Sequence, residues 1–172
     1  MVFGQGKTPD QVAKLASALL EQSDRLLVTK TTAEAYKAVL GVVQDAAFDE
    51  TARMITVDRR GDIDLTPGVV VVSGGTSDLP VAIEAVVTAE LMGCKVERVI
   101  DVGVAGIHRL FAQMPTIDQA RVVVAVAGME GALPSVVGGL VKVPVIAVPT
   151  SIGYGASYDG LAALLAMLNS CA

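Results

Sequence analysis

Five places along the chain set reactive side chains among small residues. Ser73-Gly74-Gly75-Thr76-Ser77-Asp78-Leu79-Pro80 joins glycines, which let a backbone approach a ligand, to hydroxyls and a carboxylate where a helix is predicted to open. Free N–H groups at a helix N-terminus suit a phosphate. The segment is neither a Walker loop nor the dinucleotide fingerprint, and a plain helix cap by Ser77 or Asp78 also accounts for it. Asp101-Val102-Gly103-Val104-Ala105-Gly106-Ile107-His108-Arg109 holds the only histidine. A lone histidine is more often structural, but this one follows a strand end and has an arginine beside it. Ala127-Gly128-Met129-Glu130-Gly131-Ala132-Leu133-Pro134 sets one carboxylate among small and apolar residues, either as a solvated loop charge or cap, or as a ligand group. Pro149-Thr150-Ser151-Ile152-Gly153-Tyr154-Gly155-Ala156-Ser157 could close over a ligand or lie in an interface. Cys171 offers a thiol, which attacks only as thiolate. Nothing local activates it, and a cysteine is more often a small buried hydrophobe.

The elements that must carry these loops alternate. From Gly68 onward the pattern predicts strands at 69–73, 96–102, 122–127 and 145–148, and helices at 80–92, 105–113, 133–139 and 156–169. Continuous Val/Ile/Ala runs mark strands covered on both faces, hence a parallel sheet. The expected fold is α/β: a doubly wound, Rossmann-like or flavodoxin-like three-layer sandwich, with ligands at the carboxyl ends of its strands. A small α/β segment precedes it. Thr8-Pro9 opens a helix with Val12, Leu15, Ala16 and Leu19 at helical spacing. Leu26-Leu27-Val28 reads as a strand, Thr31/Thr32 start a helix to about Leu40, and Met54–Val57 is a second strand. Arg59–Pro67 is a charged linker, so the expected domains are 1–62 and 63–172.

Composition narrows the class. The chain has 172 residues, 52% apolar and only 18% charged, with net charge −5. That suffices for a large core, and a surface so poor in charge suggests subunit interfaces. No basic groove exists for nucleic acid. Met-Val-Phe-Gly-Gln-Gly-Lys lacks the apolar core of a signal peptide, and no apolar run reaches the roughly 20 residues of a membrane helix. Two cysteines make no disulfide framework. A soluble cytoplasmic protein is expected. Asn169-Ser170-Cys171-Ala172 follows an apolar run directly, so a natural continuation beyond it is also expected.

The succession Gly-Thr-Ser-Asp, Gly-Ile-His-Arg, Ala-Gly-Met-Glu-Gly-Ala-Leu-Pro and Pro-Val-Ile-Ala-Val-Pro resembles the aminoimidazole ribonucleotide carboxylase (PurE) superfamily. The form of the second and third motifs, with Ser-Ile-Gly-Tyr-Gly-Ala-Ser and Leu-Ala-Met-Leu-Asn-Ser-Cys, is similar to its LarB family. Members of that family are carboxylase/hydrolases that begin the synthesis of the nickel-pincer nucleotide cofactor. The likeness is strong over 68–172 and extends to 2–57, beginning at Gly-Gln-Gly-Lys-Thr-Pro. The family carries further residues before Met1 and a Gly/Asn-rich tail after Ala172, and Tyr158-Asp159 stands where Phe-Gly is expected.

The resemblance implies that nicotinic acid adenine dinucleotide is carboxylated at pyridinium C5 by CO2. Phosphoanhydride hydrolysis then releases AMP and pyridinium-3,5-biscarboxylic acid mononucleotide. A pyridinium is electron-poor, so a thiolate must first add beside C5 to create an enamine carbon able to attack CO2. The resemblance makes Cys171 that nucleophile, and gives Asp78 the carboxyl group or the C5 proton. It gives Ser77 a hydrogen bond, Glu130 the hydrolytic water or a Mg2+ ion, and His108 and Arg109 substrate contacts. Gly75, Thr76, Gly106, Gly128, Met129, Gly131, Ser151 and Gly153 complete the expected substrate-binding set. No tightly bound cofactor is expected beyond possible Mg2+, and the superfamily's homo-octamer is the expected assembly. Two other readings compete: a PurE-type carboxylase or mutase acting on aminoimidazole ribonucleotide, which needs no thiol, and a non-catalytic nucleotide-binding subunit, for which Cys171 is dispensable.

Overall fold

The computed structural model describes residues 1–171. The chain divides into two compact units, Met1–Asp64 with Leu91–Gly93, and Leu65–Glu90 with Cys94 onward.

The first unit is a four-stranded sheet with two helices. Its elements are β1 (Val2–Phe3), α1 (Pro9–Leu20), β2 (Arg25–Thr29), α2 (Ala33–Leu40), β3 (Ala47–Asp49) and β4 (Met54–Asp58). The order is β1-β2-β4-β3, with β1 parallel to β2 and the other pairs antiparallel. β1 and β3 are too short to show a period of two, and sequence reasoning missed both. Helix α1 opens on a capping box, Thr8 and Gln11 each satisfying the other's backbone N–H, with Pro9 at the first helical position. Val12, Ala16, Val28, Val39 and Ile55 make the core, and Tyr36 stacks on Phe48 with ring centroids 5.2 Å apart.

The second unit holds β5 (Thr66–Ser73), α3 (Leu79–Leu91), β6 (Cys94–Val99), α4 (Ile107–Ala112), α5 (Met114–Ile117), β7 (Val122–Ala127), α6 (Ala132–Leu140), β8 (Val145–Pro149) and α7 (Leu161–Leu168). All four strands are parallel, in the order β6-β5-β7-β8. Successive side chains alternate faces. Val70, Val72, Val123 and Ala125 pack with Leu110, Ile117, Leu133 and Val137 on one side, while Val71 and Val126 pack with Ala82 and Val86 of α3 on the other. The unit is thus an α/β three-layer arrangement around a parallel sheet.

Several boundaries differ from the sequence reading, and β5 already starts at Thr66, within the stretch read as a linker. β6 stops at Val99, and Asp101 turns the chain with φ +62°. The helix expected at 105–113 breaks into a 3-10 turn, α4 and α5, with Pro115 in the first turn of α5. The last helix starts at Leu161, not 156, because Tyr158, Asp159 and Gly160 all sit in the left-handed region, which cannot continue a right-handed helix. Among the described residues no helix is long and apolar enough to cross a membrane.

Candidate active site

The strand order reverses direction between β5 and β7, and in a doubly wound sheet that switch opens a crevice beyond the strand ends. The loops there are laid against one another. Val102 N–H donates to the Ser73 carbonyl at 3.0 Å and Gly103 N–H to the Gly74 carbonyl at 2.8 Å, pinning the loop after β6 on the loop after β5. Met129 N–H donates to the Ile152 carbonyl at 2.7 Å and Thr150 N–H to the Ala127 carbonyl at 3.0 Å, joining the loops after β7 and β8. Met129 holds φ +52° there.

Asp78 sits at the centre, ending the 3-10 turn Thr76–Asp78 that leads into α3. Only 5% exposed, it accepts Gly75 N–H on Oδ2 at 3.0 Å and the Thr150 hydroxyl on Oδ1 at 2.7 Å. A buried carboxylate needs such partners. Thr150, 4% exposed, also accepts Ile152 N–H at 3.3 Å. The cleft around them has a volume of about 570 Å3. Its lining includes Ser77, Asp78, Met129, Glu130, Leu133 and Tyr154, with backbone of Gly75, Gly103, Gly128 and Gly153. Ala132 and Leu133, the first residues of α6, also line it. Asp78 and Glu130 are its only charged side chains, and Glu130 is exposed at the rim.

The structure therefore gathers Gly75, Ser77, Asp78, Gly128, Met129, Glu130 and Gly153 from the expected set, and leaves the others outside the lining. His108 is exposed on α4, whose buried residue is Leu110, two positions further on and therefore on a different side of the helix. Arg109 donates to the Asp101 carboxylate and covers Gly106, so its guanidinium is already engaged. Thr76 and Ser151 point to solvent-exposed parts of their loops. Gly131, φ +67°, backs onto Ala163 and joins α6 to α7. Cys171 is exposed beyond the end of α7, where Ser170 Oγ lies 2.9 Å from Ser135 Oγ on α6. Among the described residues no three His, Cys, Asp or Glu side chains gather to hold a metal ion. Glu130 alone does not build a site for Mg2+. Sequence reasoning passed over Thr150; its signal was a hydroxyl directly after a buried strand, one residue before the Ser151 that was chosen.

The profile of a family described as LarB/PurE-like N-terminal domain matches residues 1–59, and that of AIR carboxylase matches 68–172. An uncharacterised protein of Methanocaldococcus jannaschii is 36% identical, over 99% of this chain and 69% of its own length. The N5-carboxyaminoimidazole ribonucleotide mutase of the same organism is 39% identical over 55% of this chain and 57% of its own.

Proposed function

This chain belongs to the AIR carboxylase family and carries a LarB/PurE-like N-terminal domain, and from that premise we propose that it carboxylates pyridinium C5 of nicotinic acid adenine dinucleotide and hydrolyses the phosphoanhydride. A carboxylase-type enzyme is what the family itself indicates. The observation that carries the choice of substrate is the cleft's charge. Its only charged side chains are two carboxylates, with no Lys, Arg or His among the lining residues. Opposite charges at short range attract strongly in a partly desolvated cleft, so a carboxylate beside the ring nitrogen favours its positive charge, while the ligand's own carboxylate and diphosphate call for N–H donors. The start of α6 supplies N–H groups for the diphosphate.

In this reading the thiolate of Cys171 adds to the ring carbon beside C5, forming a C–S bond and an enamine. C5 attacks CO2 and forms the new C–C bond. Asp78 takes the C5 proton, the C–S bond breaks, and aromaticity returns. Splitting one hard step this way is covalent catalysis. Glu130 then orients water for attack on the phosphoanhydride, releasing AMP and the biscarboxylated mononucleotide, the first step toward a nickel-pincer cofactor. No step is routed through a metal.

Cys171 does not line the cleft of its own chain. Assembly gives it a route to a neighbour's. The reading includes a homo-octamer with sites at subunit interfaces, in a reducing cytoplasm. Apolar surface left uncovered supports the association. Helix α3 is apolar on nearly every side, yet only Ala82 and Val86 are fully buried. Ile146 of β8, on the α3 side of the sheet, is 53% exposed. Leu161, Leu164, Leu165 and Leu168 of α7 are exposed as well. A helix apolar all round belongs inside a larger core. Light scattering at micromolar concentration checks this, and a monomer refutes it.

A second reading has the cysteine's position in its favour. A thiol outside the cleft suits aminoimidazole ribonucleotide chemistry, which needs none. One assay separates the two. The protein is incubated with the dinucleotide and 13C-bicarbonate, and mass spectrometry follows AMP and the gain of one labelled carboxylate. Turnover of aminoimidazole ribonucleotide with no AMP formed overturns the first reading.

A further inference from the structure

The geometry points to Thr150 as a positioning residue, one that fixes the orientation of the Asp78 carboxylate for proton removal at the ring. This rests on the carboxylation reading above.

The hydrogen bonds around Thr150 run in one direction only. Ile152 N–H can only donate, and it donates to Thr150 Oγ1 at 3.3 Å. The hydroxyl oxygen has thus received one bond and directs its own proton to Asp78 Oδ1 at 2.7 Å. The other carboxylate oxygen is held by Gly75 N–H at 3.0 Å. A carboxylate with a donor on each oxygen cannot turn about its Cβ–Cγ bond without breaking one of them. Aligned bonds of this kind strengthen one another in a buried setting. Both side chains are at most 5% exposed, so water does not replace a lost partner freely.

Thr150 is also where three loops meet. A Cβ on Gly128 would stand 2.6 Å from its Oγ1, and one on Gly160 would stand 2.6 Å from its carbonyl oxygen. The hydroxyl is therefore set close against the loop after β7, while the backbone of Thr150 is packed against Gly160 just before α7. Asp78 comes from the loop after β5. A single hydroxyl thus sets the carboxylate by reference to the opposite wall of the cleft, whose loop includes Ile152 and Gly153.

The test compares Thr150→Val, which keeps the shape and removes the hydroxyl, with Thr150→Ser, which keeps the hydroxyl. Carboxylation is followed with the dinucleotide and 13C-bicarbonate across pH. In T150V kcat is expected to fall roughly 10- to 100-fold, the worth of one hydrogen bond to a charged group, with KM within about twofold. The acidic limb of its pH–rate profile is expected to move toward neutrality, and T150S to restore both rate and profile. A merely structural Thr150 would lower melting temperature and active fraction while leaving the profile in place. Thr150→Ala is read in the same way if T150V does not fold. Wild-type rate and profile in the variants lacking the hydroxyl overturn the inference, as does a T150S as impaired as they are. Wild-type protein that consumes no dinucleotide sinks the carboxylation reading as well; with wild-type turnover intact, only the role of Thr150 fails.

Discussion

Gly128 lies so close beneath Ile152 that a Cβ on it would stand 2.2 Å from the Ile152 carbonyl oxygen. The same Met129–Ile152 bond that joins the two loops enforces this approach. Gly128→Ala must push the cleft wall apart. A loss of about 1–3 kcal/mol is expected, or several degrees in melting temperature, together with loss of turnover. Gly139→Ala is the contrasting variant, since a Cβ there meets nothing within 4 Å inside α6. It should gain up to about 1 kcal/mol, because alanine is the better helix former. Thermal melts of both against wild type are the check, and a Gly128→Ala as stable as wild type contradicts the packing described.

Asp159 occupies the left-handed region, with φ +53° and ψ +37°, at an exposed position. Glycine adopts that conformation without the Cβ penalty. Asp159→Gly should therefore raise stability by roughly 0.5–1 kcal/mol with turnover unchanged. Denaturant midpoints measure it, and a destabilised variant would show that Asp159 contributes something its backbone does not reveal.

Glu130 stands exposed at the rim, and among the described residues no partner holds it in the cleft. If it orients the hydrolytic water, Glu130→Gln should cut AMP release on the order of 10²-fold, typical of removing a general base. Formation of a thiol–ring adduct should fall far less. Quenched-flow mass spectrometry resolves the two signals, and equal loss of both would make Glu130 a binding residue.

Cys171→Ser should nearly abolish carboxylation while leaving fold and assembly intact, since serine is close in size and a much poorer nucleophile toward a soft pyridinium carbon. Cys94→Ser is the control. Cys94 begins β6 and is half-buried, so its replacement should cost stability and not chemistry. Intact-mass measurement should find an adduct on Cys171 and none on Cys94. Full carboxylation by Cys171→Ser would move the thiol-free reading to first place.

Acid should loosen the first unit through Asp45. Its carboxylate accepts two bonds from Arg59, both at 2.7 Å, and these hold it below the ordinary carboxylate range. A folded value below the unfolded one means the folded state binds its proton less readily. The contribution is then present above the unfolded pKa of roughly 3.9 and is lost as pH falls through the folded value. Asp45→Asn should lower the melting temperature slightly at pH 7 and not at pH 2. A gap of the same size at both would assign the effect to something other than charge. The pair is well exposed, so the effect is small.

Much of this molecule is legible in local patterns. Short β-branched runs such as Val69–Val72 and Val122–Val126 read as strands covered on both faces, and their alternation with helices points to a parallel sheet. That sheet places Gly75, Asp78, Gly128 and Glu130 at one edge, because they follow strand ends and parallel strands end together. Fold class and the loops that form the cleft can thus be read from local residue patterns. Which side chains face the cleft depends on contacts between residues far apart in the chain. The pairing of Asp78 with Thr150 spans 72 residues and leaves no local periodicity. His108 is exposed because α4 buries Leu110 instead, and Arg109 is drawn to the nearby Asp101 carboxylate. Cys171 lies outside the lining, next to Ser170, whose Oγ is 2.9 Å from Ser135 Oγ on α6, a contact across 35 residues that no local pattern marks. Chain direction, set by a few backbone angles, is what a one-dimensional pattern does not hold.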